Sequence, residues 1–215
     1  MRLTLRTFLL VLALCTFGGT VSAQMWELGG VGGWGFARDA TVTGPPGSAE
    51  TGFDSGLAVG AIAVNNMHNY ISGEIRYTYR LGDAHVTAGG TKATFDASAH
   101  LVHYDFIVNT SPRDSSLRPF LAFGGGIKYY RGLGVEQPYQ PLEEFVLLTK
   151  TNQITAMLSV GAGVKFRISE HIMIRGEFRD FIGPTPDRIL VPAPGNKVSS
   201  WMHDFVPMFG ITGTF

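Results

Sequence analysis

Cysteine is almost absent from this chain, since Cys15 is the only one among 215 residues. It lies in segment 1–23, which we interpret below as a removed leader, so the mature chain has no disulfide, thiol nucleophile or cysteine-based metal site. Charge is scarce as well, at 16% of residues, with 17 basic and 17 acidic side chains. Loss of Arg2 and Arg6 with the leader leaves 15 basic against 17 acidic residues, a near-neutral balance that does not suggest a strongly basic surface for nucleic acid.

Long apolar runs suited to a transmembrane helix are also missing. The run from Phe8 to Leu14 follows two arginines and precedes the small residues Val21-Ser22-Ala23. A basic start, an apolar middle and a small-residue end predict a secretory signal peptide over 1–23. The run is far shorter than the roughly 20 residues of a membrane-spanning helix. A buried first helix and a lipoprotein modified at Cys15 are the alternatives.

Apolar and polar residues alternate along several segments, as on a β-strand, where neighbouring side chains point to opposite faces. In the clearest segment one face carries Ile71, Gly73, Ile75, Tyr77, Tyr79 and Leu81, and the other carries Ser72, Glu74, Arg76, Thr78 and Arg80. A helix would mix these two sets. The same pattern predicts eight strands over 25–37, 56–65, 71–81, 96–109, 118–131, 154–167, 172–179 and 203–215.

The connections between these strands alternate in length. Short ones fall near 66–68, 110–117 and 168–171, and long ones fall at 38–55, 82–95, 132–151 and 181–202. A membrane barrel has this arrangement, with short turns on one side and long loops on the other. Strands of about ten residues fit a tilted crossing of a bilayer. We therefore predict an all-β fold over 24–215, an eight-stranded antiparallel up-and-down transmembrane β-barrel, with ten strands as the alternative.

The charged side chains share one face of the predicted strands. An Arg or Lys on the lipid face near the midplane costs about 2–4 kcal/mol, so the charged face should point into the lumen. Side chains fill a barrel of eight strands, which favours paired charges in a plugged interior over an open pore. The predicted lumen charge network is Glu74, Arg76, Arg80, His103, Asp105, Lys128, Lys165, Arg167, Arg175, Glu177 and Arg179.

Glycines and aromatic residues also fit a membrane barrel. The run Gly124-Gly125-Gly126 and the pair Gly161 and Gly163 are not followed by a phosphate-loop helix start, so we interpret them as small residues inside a narrow barrel. Aromatic residues tend towards strand ends, as in the girdles of membrane barrels, with an ordinary β-sandwich core as the alternative. They are Trp26, Trp34, Tyr70, Tyr77, Tyr79, Tyr129, Tyr130, Phe178, Trp201, Phe209 and Phe215.

Histidines are the main candidates for chemistry. His103 and Asp105 share the inward face of their strand, whereas His100 falls on the other face. No serine stands at a spacing that puts it beside His103 on a strand, although a serine distant in sequence stays open. The other histidines are too scattered to form a metal site by spacing, namely His68, His85, His171 and His203. We predict a lumen pair of His103 with Asp105, and no enzyme, cofactor or metal.

Three segments resemble the small outer-membrane barrels of the OmpA/OmpX-like, opacity-protein-like superfamily, also called the porin family. They are Ile71–Tyr77, Arg118–Gly126 and the terminal strand Phe209–Phe215. The resemblance covers essentially the whole mature chain. It implies a C-terminal signal for the outer-membrane assembly machinery, carried here by Phe209, Ile211 and Phe215.

We therefore expect a non-enzymatic integral protein of the bacterial outer membrane, with a structural role and surface recognition or adhesion through its long loops. The expected partners are outer-membrane lipids, lipopolysaccharide and the assembly machinery, without nucleic acid, and the expected state is a monomer. The alternatives are a narrow porin-like channel, a lipid-modifying enzyme and a soluble lipocalin-like barrel.

Overall fold

The structure is a computed structural model that describes residues 25–199 and 201–215, so the predicted signal peptide lies outside the described residues. In chain order its strands are β1 (Trp26–Ala37), β2 (Ala40–Gly44), β3 (Gly47–Phe53), β4 (Gly56–Asn65), β5 (Ile71–Leu81), β6 (Ala84–Ala88), β7 (Thr91–Phe95), β8 (Ala97–Asn109), β9 (Leu117–Gly132), β10 (Val146–Leu148), β11 (Asn152–Arg167), β12 (Ile172–Pro184), β13 (Leu190–Pro192), β14 (Lys197–Val198) and β15 (Trp201–Thr214). Within these described ranges, no helix has the length and apolar character needed to cross a membrane.

The eight long strands close into one antiparallel barrel in the order β1-β15-β12-β11-β9-β8-β5-β4, and β4 pairs back onto β1. Strands that follow one another in the sequence lie side by side, as expected for an up-and-down barrel. Closure gives every strand two neighbours, so the backbone donors and acceptors have partners without water. The predicted eight-stranded barrel is confirmed, and the alternative of ten strands is wrong.

Four barrel strands, β9, β11, β12 and β15, extend beyond their predicted bounds, and the change is largest in β12. β12 continues to Pro184 rather than 179, and β15 begins at Trp201 rather than 203. Pro184 and Trp201 are partners at the last position of the ladder between these strands. A proline is tolerated there because the end of a ladder needs no further backbone donor.

The outer surface of the barrel is apolar and exposed. Leu121, Ile154 and Phe209 are 60%, 63% and 77% exposed, whereas the lumen-facing Glu74 and Arg179 are fully buried. A soluble protein reverses this distribution, while the lipid-facing surface of a membrane barrel requires it. The soluble lipocalin-like alternative, with its apolar face inward, is therefore wrong for this fold.

The two ends of the barrel are built differently. The short connections 66–70, 110–116 and 168–171 lie at one end, together with the chain ends, where the Trp26 N–H donates to the Phe215 carbonyl at 3.3 Å. We call this the turn end. The four long connections lie at the opposite end, which we call the loop end.

The long connections are folded into a cap rather than being irregular. Strands β14, β2, β3, β6 and β7 form a five-stranded sheet, and β10 pairs with β13. Buried apolar side chains of the cap join the apolar residues at the loop end of the lumen in one cluster, including Val42, Ala49, Phe53, Val86, Phe95, Phe145, Val146 and Leu190. The prediction of simple loops at 38–55, 82–95, 132–151 and 181–202 therefore missed seven short strands.

A tight turn and a contact between a histidine and two carboxylates organise one side of the cap. The β6–β7 hairpin reverses at Gly89 and Gly90, with φ of +57° and +83°. Positive φ at both positions is characteristic of a type I′ two-residue turn, and glycine adopts it without strain. The His85 ring lies 3.3 Å from the Asp39 carboxylate and 3.0 Å from that of Asp54, so it links this hairpin to the first long connection.

The buried core of the cap allows a test of whether the cap folds separately from the barrel. Val42 is fully buried, and its neighbour Thr43 is exposed on the same strand. We expect Val42→Asp to make the cap sensitive to chymotrypsin, because an unpaired buried carboxylate is costly, and to leave the heat-dependent gel mobility of the barrel unchanged. Thr43→Asp is the matched control and should resist the protease. Loss of the gel shift in Val42→Asp would mean that barrel and cap fold as one unit.

Candidate functional site

Charged side chains fill the lumen of the barrel. In the part of the chain that the structure describes, seven cationic and five carboxylate side chains are buried there: Arg76, Arg80, Arg118, Lys128, Lys165, Arg175, Arg179, Glu27, Glu74, Asp105, Glu177 and Asp204. They occupy alternate positions on their strands, so the pleat of the sheet directs them inward. Their contacts divide them into a central cluster and two end clusters.

The central cluster joins two glutamates to three arginines. Arg76 Nη2 lies 2.7 Å from Glu74 Oε1 and 2.6 Å from Glu177 Oε1. Arg175 bridges the same two carboxylates at 2.7 Å and 2.8 Å, and Arg179 bridges them at 3.1 Å each. Every guanidinium therefore contacts both carboxylates. Such multiple pairing offsets the cost of removing these charges from water.

Asp105 completes the charge balance of the central cluster. Its Oδ2 accepts a hydrogen bond from Arg179 Nη1 and another from Ser159 Oγ at 3.2 Å, and its Oδ1 lies 3.1 Å from His103 Nδ1. Gly124 stands between Asp105 and Ser159 in the strand ladder. A Cβ on Gly124 would lie 2.4 Å from Asp105 Oδ1. The absence of a side chain there lets the two residues meet across the intervening strand.

The cluster at the turn end centres on Glu27. Lys165 Nζ lies 2.9 Å from its Oε2, and Asn66 Nδ2 donates to its Oε1 at 3.0 Å. Ser72 Oγ in turn donates to Asn66 Oδ1 at 2.8 Å. Arg118 Nη1 lies 3.9 Å from the same glutamate, so one carboxylate serves two cations.

The cluster at the loop end connects the lumen to the cap. Asp204 Oδ1 lies 2.9 Å from Arg80 Nε, and its Oδ2 lies 2.8 Å from Lys128 Nζ. Lys128 Nζ also lies 4.9 Å from the centroid of the Tyr130 ring, which stacks on Phe53 of the cap at 5.0 Å. A cavity of about 10 Å³ remains beside this cluster, about the size of a single water. Side chains therefore occupy the interior of the barrel at this level.

The predicted lumen residues are placed as follows. Arg167 is half-buried at the turn end, where its Nη2 donates to the Arg113 carbonyl, and the other predicted residues are buried in the lumen. Three buried lumen charges lie outside the prediction, namely Glu27, Arg118 and Asp204. They stand near strand ends, where glycines and prolines blur the alternation. Counting residue parity from the predicted strand centres would have found them.

One aromatic prediction is wrong. Tyr130 is only 3% exposed and faces the lumen, whereas its neighbour Tyr129 faces outward. Adjacent residues on a strand point to opposite faces, so the two tyrosines cannot both belong to an outer girdle.

The contacts of His103, Asp105 and Ser159 bear on hydrolytic chemistry. Ser159 donates to Asp105 rather than to His103, and the buried His103 Nε2 has no hydrogen-bond partner among the described residues. In a hydrolytic triad the histidine stands between the serine and the carboxylate. Ser159 is thus a serine distant in sequence that contacts this pair, but it contacts the carboxylate and not the histidine, unlike the serine of a hydrolytic triad. The described residues also contain no group of His, Cys, Asp and Glu suited to a metal ion.

The packing of the central cluster depends on small residues opposite it. A Cβ on Gly161 would lie 2.4 Å from Arg179 Cδ and 2.5 Å from a backbone carbonyl, whereas one on Gly32 would meet nothing within 4 Å. We expect Gly161→Ala to lower the free energy of unfolding by about 1–3 kcal/mol, because the arginine must move from its partners. Urea unfolding in phosphatidylcholine vesicles measures it, with Gly32→Ala as the matched control. Equal midpoints for the two variants would contradict this account of the packing.

The sequence matches no protein-family model and no curated protein. The structure is similar to that of Neisserial surface protein A, with a TM-score of 0.56 over 91% of this chain and 100% of that one, at 13% identity. It is also similar to the outer membrane protein OprG from Pseudomonas aeruginosa, with a TM-score of 0.57 over 89% and 97% of the two chains, at 11% identity.

This chain has the fold of the small outer-membrane β-barrels. The resemblance drawn from its sequence segments is thereby confirmed at the level of the fold. Identity this low leaves the role of the protein to be argued from its own residues.

Proposed function

We propose that this chain is a non-enzymatic integral protein of the bacterial outer membrane whose closed barrel anchors a cap for recognition at the cell surface. One observation carries the proposal: ion pairs fill the lumen, while the long connections fold into a cap with buried apolar residues of its own. A filled lumen suits an anchor, and an ordered cap suits binding, because rigid elements present side chains at fixed positions.

The exposed apolar band supports the membrane placement. Trp26, Tyr70 and Phe215 are exposed at the turn end, and Trp201 is exposed at the loop end, as in the aromatic girdles at both interfaces of a membrane barrel. Short turns face the periplasm in such barrels, so the cap faces the outside of the cell. Export through the signal peptide over 1–23 and insertion as a monomer by the assembly machinery belong to the same proposal, with the exposed Phe209 and Ile211 in the terminal signal.

The third long connection supplies the best candidate surface for recognition. Val135 and Tyr139 are 75% and 71% exposed, and Leu133 is 42% exposed, in the segment between β9 and β10. Exposed apolar and aromatic side chains on an ordered surface are typical of sites that bind a partner.

Location and topology are tested in cells. We expect the protein in the outer-membrane fraction, with a heat-dependent shift on SDS gels and a mature N-terminus at Gln24. Protease added to intact cells should cleave an epitope inserted after Val135 but not one placed after Phe215. A protein that stays soluble without detergent and shows no shift would overturn the proposal.

Recognition is tested by adhesion of whole cells to immobilised extracellular-matrix proteins. Cells with the wild-type protein should adhere more than cells with Val135→Ser and Tyr139→Ser combined, at equal surface amounts. The matched control is Thr43→Ser, on an exposed position of the cap sheet. Equal adhesion by all three strains would restrict the protein to a structural role.

The filled lumen argues against the narrow porin-like channel. Planar bilayers that contain the purified protein should show no stable single-channel steps, because Arg76, Glu74 and Glu177 bridge the interior. Regular conductance steps would support the channel instead.

Unchanged lipid A acylation after deletion of the gene is expected for a protein that is not a lipid-modifying enzyme.

A further inference from the structure

A groove lies on the outer wall of the barrel, close to the loop end. It is open to the outside, has a volume of about 520 Å³, and is lined by Tyr129, Asn152, Gln153, Ile154, Asp187 and Arg188. This volume falls within the range of about 300–1,000 Å³ that is usual for small-molecule sites. The lining combines strand residues of the lipid-facing wall with residues of the cap.

One side of the groove, formed by Ile154 and Tyr129, is apolar and aromatic, and the other four lining residues are polar or charged. We call this apolar side the floor. Ile154 is 63% exposed and is the ladder partner of Tyr129. Beyond Tyr129 the same wall continues with His100, whose ring centroid lies 6.0 Å from Tyr129 and 4.9 Å from Tyr79. His100 Nδ1 also lies 2.8 Å from the Tyr77 hydroxyl. Aromatic side chains that combine an apolar ring with a polar atom are typical of the membrane interface, where lipid chains meet headgroups.

Arg188 stands above this floor with a fixed backbone. Its N–H donates to Gln153 Oε1 at 2.8 Å, and its carbonyl accepts hydrogen bonds from the hydroxyls of Thr151, at 2.6 Å, and Thr149. Gln153 Nε2 also donates to Asp187 Oδ1 at 2.8 Å. The Arg188 guanidinium itself has no hydrogen-bond or ion-pair partner among the described residues. The fold therefore holds an unpaired cation in the polar part of the groove, next to the apolar part formed by Ile154 and Tyr129.

Further charges surround the same rim. Arg131 is exposed and is the ladder partner of Asn152, and Lys150 is exposed two positions before Asn152. The acidic side chains nearby are Asp187, which accepts from Gln153, and Glu136, which accepts from the Lys150 backbone N–H at 2.7 Å. Three cations against two carboxylates leave a formal charge of +1 in this region, which favours an anion.

We infer that this groove binds a lipid with a phosphorylated, anionic headgroup, such as the phosphorylated glycolipid of the outer leaflet. The acyl chains lie against Ile154 and Tyr129, and the phosphate accepts charge-assisted hydrogen bonds from Arg188 and Arg131. The inference rests on the proposed membrane placement, because only that placement puts this wall in contact with lipid. It adds a specific lipid site to the protein's general contact with the bilayer.

The test measures lipid retention by the full mature protein in dodecyl maltoside micelles with native mass spectrometry. The probe is diphosphoryl lipid A, and zwitterionic phosphatidylcholine is the comparison lipid. We expect the wild type to retain lipid A preferentially, and Arg131→Gln with Arg188→Gln to lower its apparent affinity roughly tenfold or more. The matched control is Arg38→Gln, at another exposed arginine on the loop end after β1, on the far side of the barrel, and it should retain lipid A as the wild type does.

Each outcome separates the possibilities. Equal retention of lipid A by all three proteins, or equal retention of both lipids by the wild type, would overturn the site. Displacement of lipid A by millimolar inorganic phosphate would show an anion site without lipid selectivity and would also overturn it. The heat-dependent gel shift of each protein is recorded in parallel. A normal shift without lipid selectivity rejects the groove alone, whereas absence of the shift in the wild type rejects the proposed function.

Discussion

We expect Glu74→Gln to lower the free energy of unfolding of the barrel by about 3–5 kcal/mol, because it removes one partner from a buried ionic cluster. The Glu74 side chain is fully buried and lies within 3.1 Å of Arg76, Arg175 and Arg179. The amide keeps the shape of the side chain and removes its charge. Three guanidinium groups are then left with fewer carboxylates in a site that water does not reach.

The measurement is the midpoint of urea unfolding in phosphatidylcholine vesicles, followed by tryptophan fluorescence. The matched control is Glu50→Gln, which makes the same change on an exposed position of the cap and should leave the midpoint in place. A midpoint for Glu74→Gln equal to that of the control would show that the cluster does not stabilise the barrel.

A second variant separates the loss of charge balance from the loss of a single contact. Glu74→Gln combined with Arg76→Met removes one charge of each sign from the central cluster. We expect this double variant to be more stable than Glu74→Gln alone, because replacing a buried ion pair by an apolar side chain costs less than leaving one charge unpaired. Additive destabilisation by the two changes would contradict this explanation.

The second large effect concerns the lipid-facing wall. We expect Leu121→Arg to cost about 2–4 kcal/mol, and Leu117→Arg on the same face of the same strand to cost about 0–1 kcal/mol. The leucines are 60% and 53% exposed, so they differ little in burial. They differ in depth, because Leu117 begins β9 at the turn end, while Leu121 lies four residues further into the apolar band.

Unfolding of both arginine variants in vesicles and in detergent micelles gives the decisive comparison. The gap between them should be large in the bilayer and smaller in micelles, where detergent headgroups adapt around the charge. Equal costs at positions 117 and 121 in vesicles would mean that this wall does not face the hydrocarbon region.

The alternation of the sequence was sufficient to predict the barrel, because the apolar residues of each strand mark the face that meets lipid. In 71–81 every second residue is apolar, and the structure places Ile75 on the exposed face and Arg76 in the lumen. The pairing of His103 with Asp105 also followed from parity, since residues two apart share a face.

The cap could not be predicted in the same way. Its strands are two to seven residues long, and their apolar side chains meet partners from other long connections. A local signal existed at Gly89-Gly90, which separates two short alternating segments and indicates a hairpin. That signal alone does not reveal which other connection covers Val86 or Phe95.

By itself, the sequence determined the number of barrel strands, the inward or outward direction of most of their side chains and most of the lumen charges, because all three follow from alternation along single strands. Only the tertiary structure decided which charges pair, as with Lys165 and Glu27 or Lys128 and Asp204, and how the cap and the outer groove form. The physical reason is closure. Partners across the lumen are far apart in sequence, and their distance depends on the register and curvature of the whole barrel.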